Sequence, residues 1–172
     1  MEESLILGID PGTQITGYGL IKATKYNFFT LLHYGVFKLG NSISLTEKYK
    51  ILFQKTTLLL KDHTPSAMIV ETQFLGKNPQ STIKLSMARG VIILAATLLD
   101  IPVFEYPPAN AKVAVTGNGQ ASKEQVQNMV ARLLSSVELK DYKYQDVTDA
   151  LALAICHCSL QNFRSLNKNY RL

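Results

Sequence analysis

Four acidic residues separated by most of the chain carry the chemistry this sequence can be expected to perform: Asp10 in GIDPGT, Glu71 in MIVETQF, and Asp146 with Asp149 in DVTDALALA. Each stands where a hydrophobic segment ends or bends, so a fold can gather all four in one place. Carboxylates crowded together repel one another and take up protons unless a cation neutralises them. A divalent-metal site is the natural inference. Four ionised carboxylates carry about four negative charges, which two divalent ions balance, and hard oxygen donors favour Mg²⁺, with Mn²⁺ able to substitute, over zinc. Two such ions suit phosphodiester hydrolysis, where they clamp the attacking and leaving oxygens. Asp146 and Asp149 lie three apart and share one face of a helix; the alternative for them is capping and a favourable dipole interaction at a helix N-terminus.

The net charge of +5 favours a polyanionic partner, and its distribution is more informative. Between residues 72 and 132 the basic residues are Lys77, Lys84, Arg89, Lys112, Lys123 and Arg132, against Asp100, Glu105 and Glu124 alone. A solvated surface is the simpler reading of such a run, but beside an acid cluster it reads as a nucleic-acid surface. Cys156 and Cys158, two apart in an expected helix, point to different faces and are read as packing thiols. His33, His63 and His157 have no finger-like spacing. His157 is read first as structural, with assistance to the metal site as the alternative. No nucleophile-elbow motif supports a serine triad.

These groups have to be positioned by a chain of 172 residues, a length that suits a single domain, with a core over about residues 5–160 and a flexible tail over 161–172. A 47% hydrophobic share excludes disorder for most of it. The N-terminal MEESLILGID has acids where a signal peptide carries basic residues, and its apolar run is too short for a membrane span, so a cytoplasmic protein is expected.

Leu5 to Ile9 reads as a buried strand, followed by the Pro11-Gly12 turn, a second strand near Gly17 to Lys22 and a third over Phe29 to Leu39. Ser44 with Glu47 three residues on is a capping-box pattern that opens a helix with apolar residues at helical spacing. Ala67 to Val70 is a fourth strand with Glu71 at its end. Lys77-Asn78-Pro79 leads into a second helix that reaches about Leu99. This helix is apolar on several sides and carries small residues, so its Met87 to Leu98 stretch is expected to form a two-fold dimer interface, with Ile92 and Leu94 as test positions. Ile101 to Tyr106 is a fifth strand, and Ser122 with Gln125 caps a helix to about Leu134. Residues 116–121 and 138–145 read as loops, and Asp146 to Leu160 as the last helix. The order implies an α/β fold with a mixed five-stranded sheet, three antiparallel strands and then two parallel ones, and helices on both faces. If the first strand is central and pairs with the fourth in parallel, Asp10 and Glu71 project beyond the same sheet edge.

The blocks GIDPGTQITGYGLI, IVETQFLGKNPQST, KLSMARGVI, VFEYPPANAKVAVTGNGQASKEQVQNMV and DVTDALALAICH, in this order and spacing, resemble the RuvC family of Holliday junction resolvases, within the RNase H-like nucleases. The resemblance runs from about Leu5 to His157. It implies a homodimer that binds four-way DNA junctions and, with Mg²⁺, makes paired symmetric nicks that leave 5′-phosphate and 3′-hydroxyl ends in recombination and repair. It implies partnership with the RuvA–RuvB branch-migration complex. Asp10, Glu71, Asp146 and Asp149 match the family's metal-binding acids, Lys112 and Lys123 its basic residues near the scissile phosphate, and Phe74 an aromatic that stacks on a base near the crossover. Lys77, Lys84 and Arg89 are further DNA-contact candidates by charge. A paralogous RNase H-like nuclease acting on RNA or another branched DNA is the main alternative. An actin-like ATPase needs a second phosphate loop and a second domain, and a non-catalytic junction binder is expected to lack at least one of the acids.

Overall fold

The protein is described from a computed structural model that covers residues 3–24, 28–72, 78–139 and 142–168. Strands β1 (Glu3–Asp10), β2 (Ile15–Thr24) and β3 (Phe29–Lys38) form an antiparallel meander. Helix α1 (Leu45–His63) follows, then β4 (Ala67–Glu71), α2 (Pro79–Thr97) and β5 (Val103–Tyr106). The chain ends in α3 (Pro108–Thr116), α4 (Lys123–Leu133), a short 3₁₀ turn (Val137–Leu139) and α5 (Gln145–Lys168). The strands lie in the order β3-β2-β1-β4-β5, with β1 parallel to β4 and β4 parallel to β5. The expected mixed sheet is the one formed, with β1 at its centre.

That central place explains the uninterrupted apolar run of β1. Leu7 and Ile9 enter the core shared with α1 and α2, while Ile6 enters the core on the opposite face, under α3, α4 and α5. A strand covered on both sides has no position for a polar residue until its end, which is where Asp10 stands. The helix starts follow local chemistry. The Ser44 hydroxyl accepts the Glu47 amide at the head of α1, and Asn78 accepts the Ser81 amide at the head of α2, with Pro79 opening the helix. Ser122 and Gln125 make both halves of a capping box at α4.

Several boundaries differ from the sequence-based expectation. β5 begins at Val103, two residues after Ile101. Helix α3 was not expected; its Pro-Pro entry pre-sets the first turn, and Gly117, at φ 76°, closes it in the left-handed conformation. Val137–Leu139 forms a 3₁₀ turn at the start of the loop expected over 138–145, and α5 runs to Lys168, beyond the expected end at Leu160 and into the stretch expected as a flexible tail over 161–172. Among the described residues no helix is long and apolar enough to cross a membrane.

Candidate active site

The parallel pairing of β1 with β4 ends at Ile9 opposite Val70, so Asp10 and Glu71 are the next residue on each of two adjacent strands. Side chains alternate along a strand. Ile9 and Val70 face α1 and α2, so Asp10 and Glu71 turn to the face covered by α5. Three glycines let α5 come down onto that face. A side chain at Gly8 would overlap the Ala150 carbonyl, one at Gly17 the backbone of Asp146, and one at Gly19 the Leu151 side chain. Gly8 pairs with Gly19, and Asp10 with Gly17, across the β1–β2 ladder. The first turns of α5, with Asp146 and Asp149, are therefore seated beside Asp10 by missing side chains. Glycines of this kind leave no charge or periodicity in a sequence, and their only local trace is small residues at alternate strand positions.

Asp10, Glu71 and Asp149 line one cleft of about 320 Å³, together with Lys112, Lys123, Pro108, Ala111, Val126 and Ala152. Asp146 is outside that lining, but its charge reaches both Asp10 and Asp149. The Asp10 carboxyl is pushed from its usual 3.8 up to about 8, first by burial and then by Glu71, Asp149 and Asp146, with Lys123 opposing. Burial is also the largest cause of the raised Glu71 and Asp149 carboxyls, to which Asp149 and Asp146 add respectively, while Lys123 and Lys112 pull both back. The lysines cannot neutralise the cluster. Lys123 Nζ stands 4.0 Å from Asp149 Oδ2, at the limit of an ion pair, and is largely exposed. Lys112 donates to the Ala121 carbonyl at 2.8 Å, which fixes its ammonium at the cleft wall through the loop between α3 and α4.

An all-oxygen donor set with an uncompensated negative charge fits a hard divalent cation. Among the described residues no three Asp, Glu, His or Cys side chains close around a common point as a finished cage.

The other candidates separate. Phe74 and Lys77 lie outside the described residues. Lys84 is exposed on α2, its carbonyl accepting the Tyr49 hydroxyl at 3.0 Å. Arg89, expected at the DNA surface, is turned inward: Nε donates to the Glu71 carbonyl at 3.0 Å, and the guanidinium pairs with Glu105 on β5. Its charge is consumed in holding the end of β4, a positioning role that charge counting missed. His157 is buried away from the cleft, with Nδ1 2.9 Å from the Tyr106 hydroxyl and its ring against Phe104, in accord with the structural reading. Cys156 and Cys158 are buried thiols whose pKa values burial pushes up to about 11 and about 12, so they are packing groups. Ile92 is fully buried, which removes it from any interface, whereas Leu94 on the same helix is half exposed.

Comparison with known proteins shows what the chain resembles. Residues 6–157 match the family model described as crossover junction endodeoxyribonuclease RuvC. Proteins of that name from Chlamydia caviae and Chlamydia felis are 51% and 50% identical to the chain, over 94% and 92% of it and 96% and 95% of their own lengths. Among solved structures, Thermus thermophilus RuvC in complex with a Holliday junction substrate superposes with a TM-score of 0.87 at 29% identity, covering 94% of this chain and 97% of that one.

Proposed function

This chain belongs to the RuvC family of crossover junction endodeoxyribonucleases, and from that premise we propose that it cuts four-way DNA junctions with the cleft formed by Asp10, Glu71, Asp149, Lys112 and Lys123. The observation that carries the assignment of residues is the meeting of three carboxylates from β1, β4 and α5 with two lysines in one cleft. The Thermus relative's complex with a Holliday junction supports the same substrate here.

Asp10, Glu71, Asp146 and Asp149 would hold the divalent ions, two Mg²⁺ by the balance of four carboxylates, with Asp149 the acid whose role could be to orient a ligand. When bound, the metal would neutralise charge on the scissile phosphate and favour an ionised attacking water. The residues themselves do the rest. The partial burial of Asp10 on the central strand beneath α5 strengthens its attraction for a bound cation. Lys112, pinned by the Ala121 carbonyl, and Lys123 offer positive charge to phosphates that approach over the open side of the cleft. In-line attack of water on phosphorus breaks the bond to the 3′ oxygen, which leaves with a proton as a 3′-hydroxyl, and the new bond gives a 5′-phosphate.

Two symmetric cuts need two sites, and a homodimer through α2 supplies them. Ile83, Met87 and Leu94 are each more than half exposed, and Gly90 between them has open space above it. Their spacing of four, three and four is that of a helix–helix seam. Phe74, on the resemblance, would stack on a base at the crossover. Partnership with RuvA–RuvB and a cytoplasmic location complete the proposal on family membership.

The test is incubation of the purified protein with a synthetic four-way junction and Mg²⁺, with the product strands mapped on a gel. Paired nicks at symmetric positions, lost in Asp10→Asn, Glu71→Gln and Asp146→Asn while junction binding persists, are the expected result. Near-normal cutting by any of the three would overturn the site, and preference for an RNA–DNA hybrid would overturn the substrate.

A further inference from the structure

A second group of cations stands on the opposite side of the acids from Lys112 and Lys123. Lys38, at the end of β3, places Nζ 5.2 Å from the centre of the Tyr144 ring, and Lys143 places its own 5.7 Å from the same centre. Tyr142 meets Tyr34 edge-on at 5.2 Å and Tyr144 at 6.1 Å, so three tyrosines form a rank with the two lysines at one end. The Tyr34 hydroxyl donates to Glu138 at 3.2 Å and anchors the other end. Two ammonium groups beside one ring repel each other, and cation–π attraction at an exposed site is weak. Both lysines are exposed, and among the described residues neither meets a carboxylate. Lys38 also hydrogen-bonds the Tyr144 hydroxyl, a neutral partner that leaves both ammonium charges without a counter-charge, so an anion would complete the arrangement.

The patch is tied to the active site by the backbone. The Tyr144 carbonyl accepts the Val147 amide at 3.2 Å, in the first turn of α5 that bears Asp146. Lys38 pairs with Ile15 across β2–β3, and Val36, two residues earlier on β3, pairs with Gly17, which itself pairs with Asp10. Strands lie about 4.8 Å apart, so Lys38 starts on the order of 10 Å from Asp10 along the sheet edge, on the side away from Glu71. At a rise of about 3.4 Å per nucleotide that distance is roughly three steps along a DNA strand.

We infer that Lys38 and Lys143, held apart and oriented by Tyr144, form a second phosphate-binding contact for the DNA arm that leaves the cleft on the Asp146 side. The inference rests on the proposed cutting of junction DNA by the acid cleft. A strand with its scissile phosphate at the acids meets Lys112 and Lys123 on one side of the cut and this pair on the other. The contact is to backbone phosphate, so it positions the arm and carries no base preference.

The test uses the full chain and a fluorescent four-way junction, with binding measured by anisotropy from low to moderate salt without divalent metal. Lys38→Ala/Lys143→Ala together are expected to lower affinity about tenfold at moderate salt and to reduce the slope of log K against log salt by up to about 1.8, two lost contacts at about 0.9 each. Tyr144→Phe removes the hydroxyl that Lys38 hydrogen-bonds but keeps the ring and both charges, so it is expected to leave the slope near the parent's, and Tyr144→Ala to reduce it in part. Lys38→Gln/Lys143→Gln gives the same readout if the alanine pair does not fold. A slope in both double variants equal to the parent's overturns the inference even where the parent cuts junctions normally. A parent that neither binds nor cuts junctions overturns the proposed function instead, so the two failures are distinguishable.

Discussion

At the residue scale the decisive group is Asp10. In the metal-free protein its carboxyl titrates near 8 rather than 3.8, so the folded state binds this proton more tightly than the unfolded chain does. The sign follows from linkage: where the folded state holds more protons, stability falls as pH rises. The loss begins above about pH 3.8, continues through about 8 and is complete above it. Asp10→Asn has no proton to lose, and is expected to flatten that decline and melt at a higher temperature than the parent at pH 8 without metal. Addition of Mg²⁺ is expected to raise the parent's melting temperature at pH 8 and to raise that of Asp10→Asn much less. Thermal melts at a series of pH values, with and without the ion, measure both effects. A parent whose stability is level from pH 5 to 8 would contradict the burial of this carboxylate. Arg89 acts through Glu71 rather than on substrate. Arg89→Ala removes the donor to the Glu71 carbonyl and leaves Glu105 unpaired. Cleavage is expected to fall severalfold, while the salt slope of junction binding stays at the parent's value. A fall in that slope by about one would return Arg89 to the DNA surface.

At the element scale the seating of α5 on β1 and β2 controls the site. A methyl group at Gly8 meets the backbone carbonyl of Ala150, which cannot rotate away as a side chain can. Gly8→Ala is expected to cost about 1–3 kcal/mol or more, the range for overpacking a filled core. It is also expected to lift the first turns of α5 away from Asp10, with loss of cleavage beyond what the lost stability explains. Denaturant melts together with cleavage at a temperature where the variant remains folded separate the two. Full activity in a stable Gly8→Ala would mean that α5 need not lie close to the sheet.

At the scale of the whole molecule the α2 face determines whether one site or two act on a junction. Leu94→Asp places a charge on the exposed seam and is expected to yield a folded monomer by sedimentation, with paired cutting reduced to single nicks. Ile92→Asp, on the buried side of the same helix, is expected to unfold the protein, because an unpaired carboxylate would enter the core shared by β1, β4 and α1. A parent that sediments as a monomer at micromolar concentration with junction bound would refute the dimer.

Much of this architecture was legible in order and pattern alone. An apolar run that ends in Asp10, another that ends in Glu71, and two acids three apart at a helix start place charge at the ends of elements whatever the packing. Local rules also read the helix starts at Ser44 and Ser122, because a cap is made within four residues, although the box expected at Ser44 shows only its hydroxyl half while that at Ser122 has both. Tertiary structure decided what depends on neighbours distant in sequence. Helix α2 is apolar nearly all round, so nothing in its own pattern says that Ile92 is covered and Leu94 open until the sheet occupies one side. Arg89 reads as a surface charge until the Glu71 carbonyl and Glu105 stand within its reach. Gly8, Gly17 and Gly19 are ordinary strand glycines until α5 rests on them. The elevated Asp10 carboxyl belongs to this second kind, since desolvation and repulsion arise only when residues up to 139 positions away in the chain are brought against it.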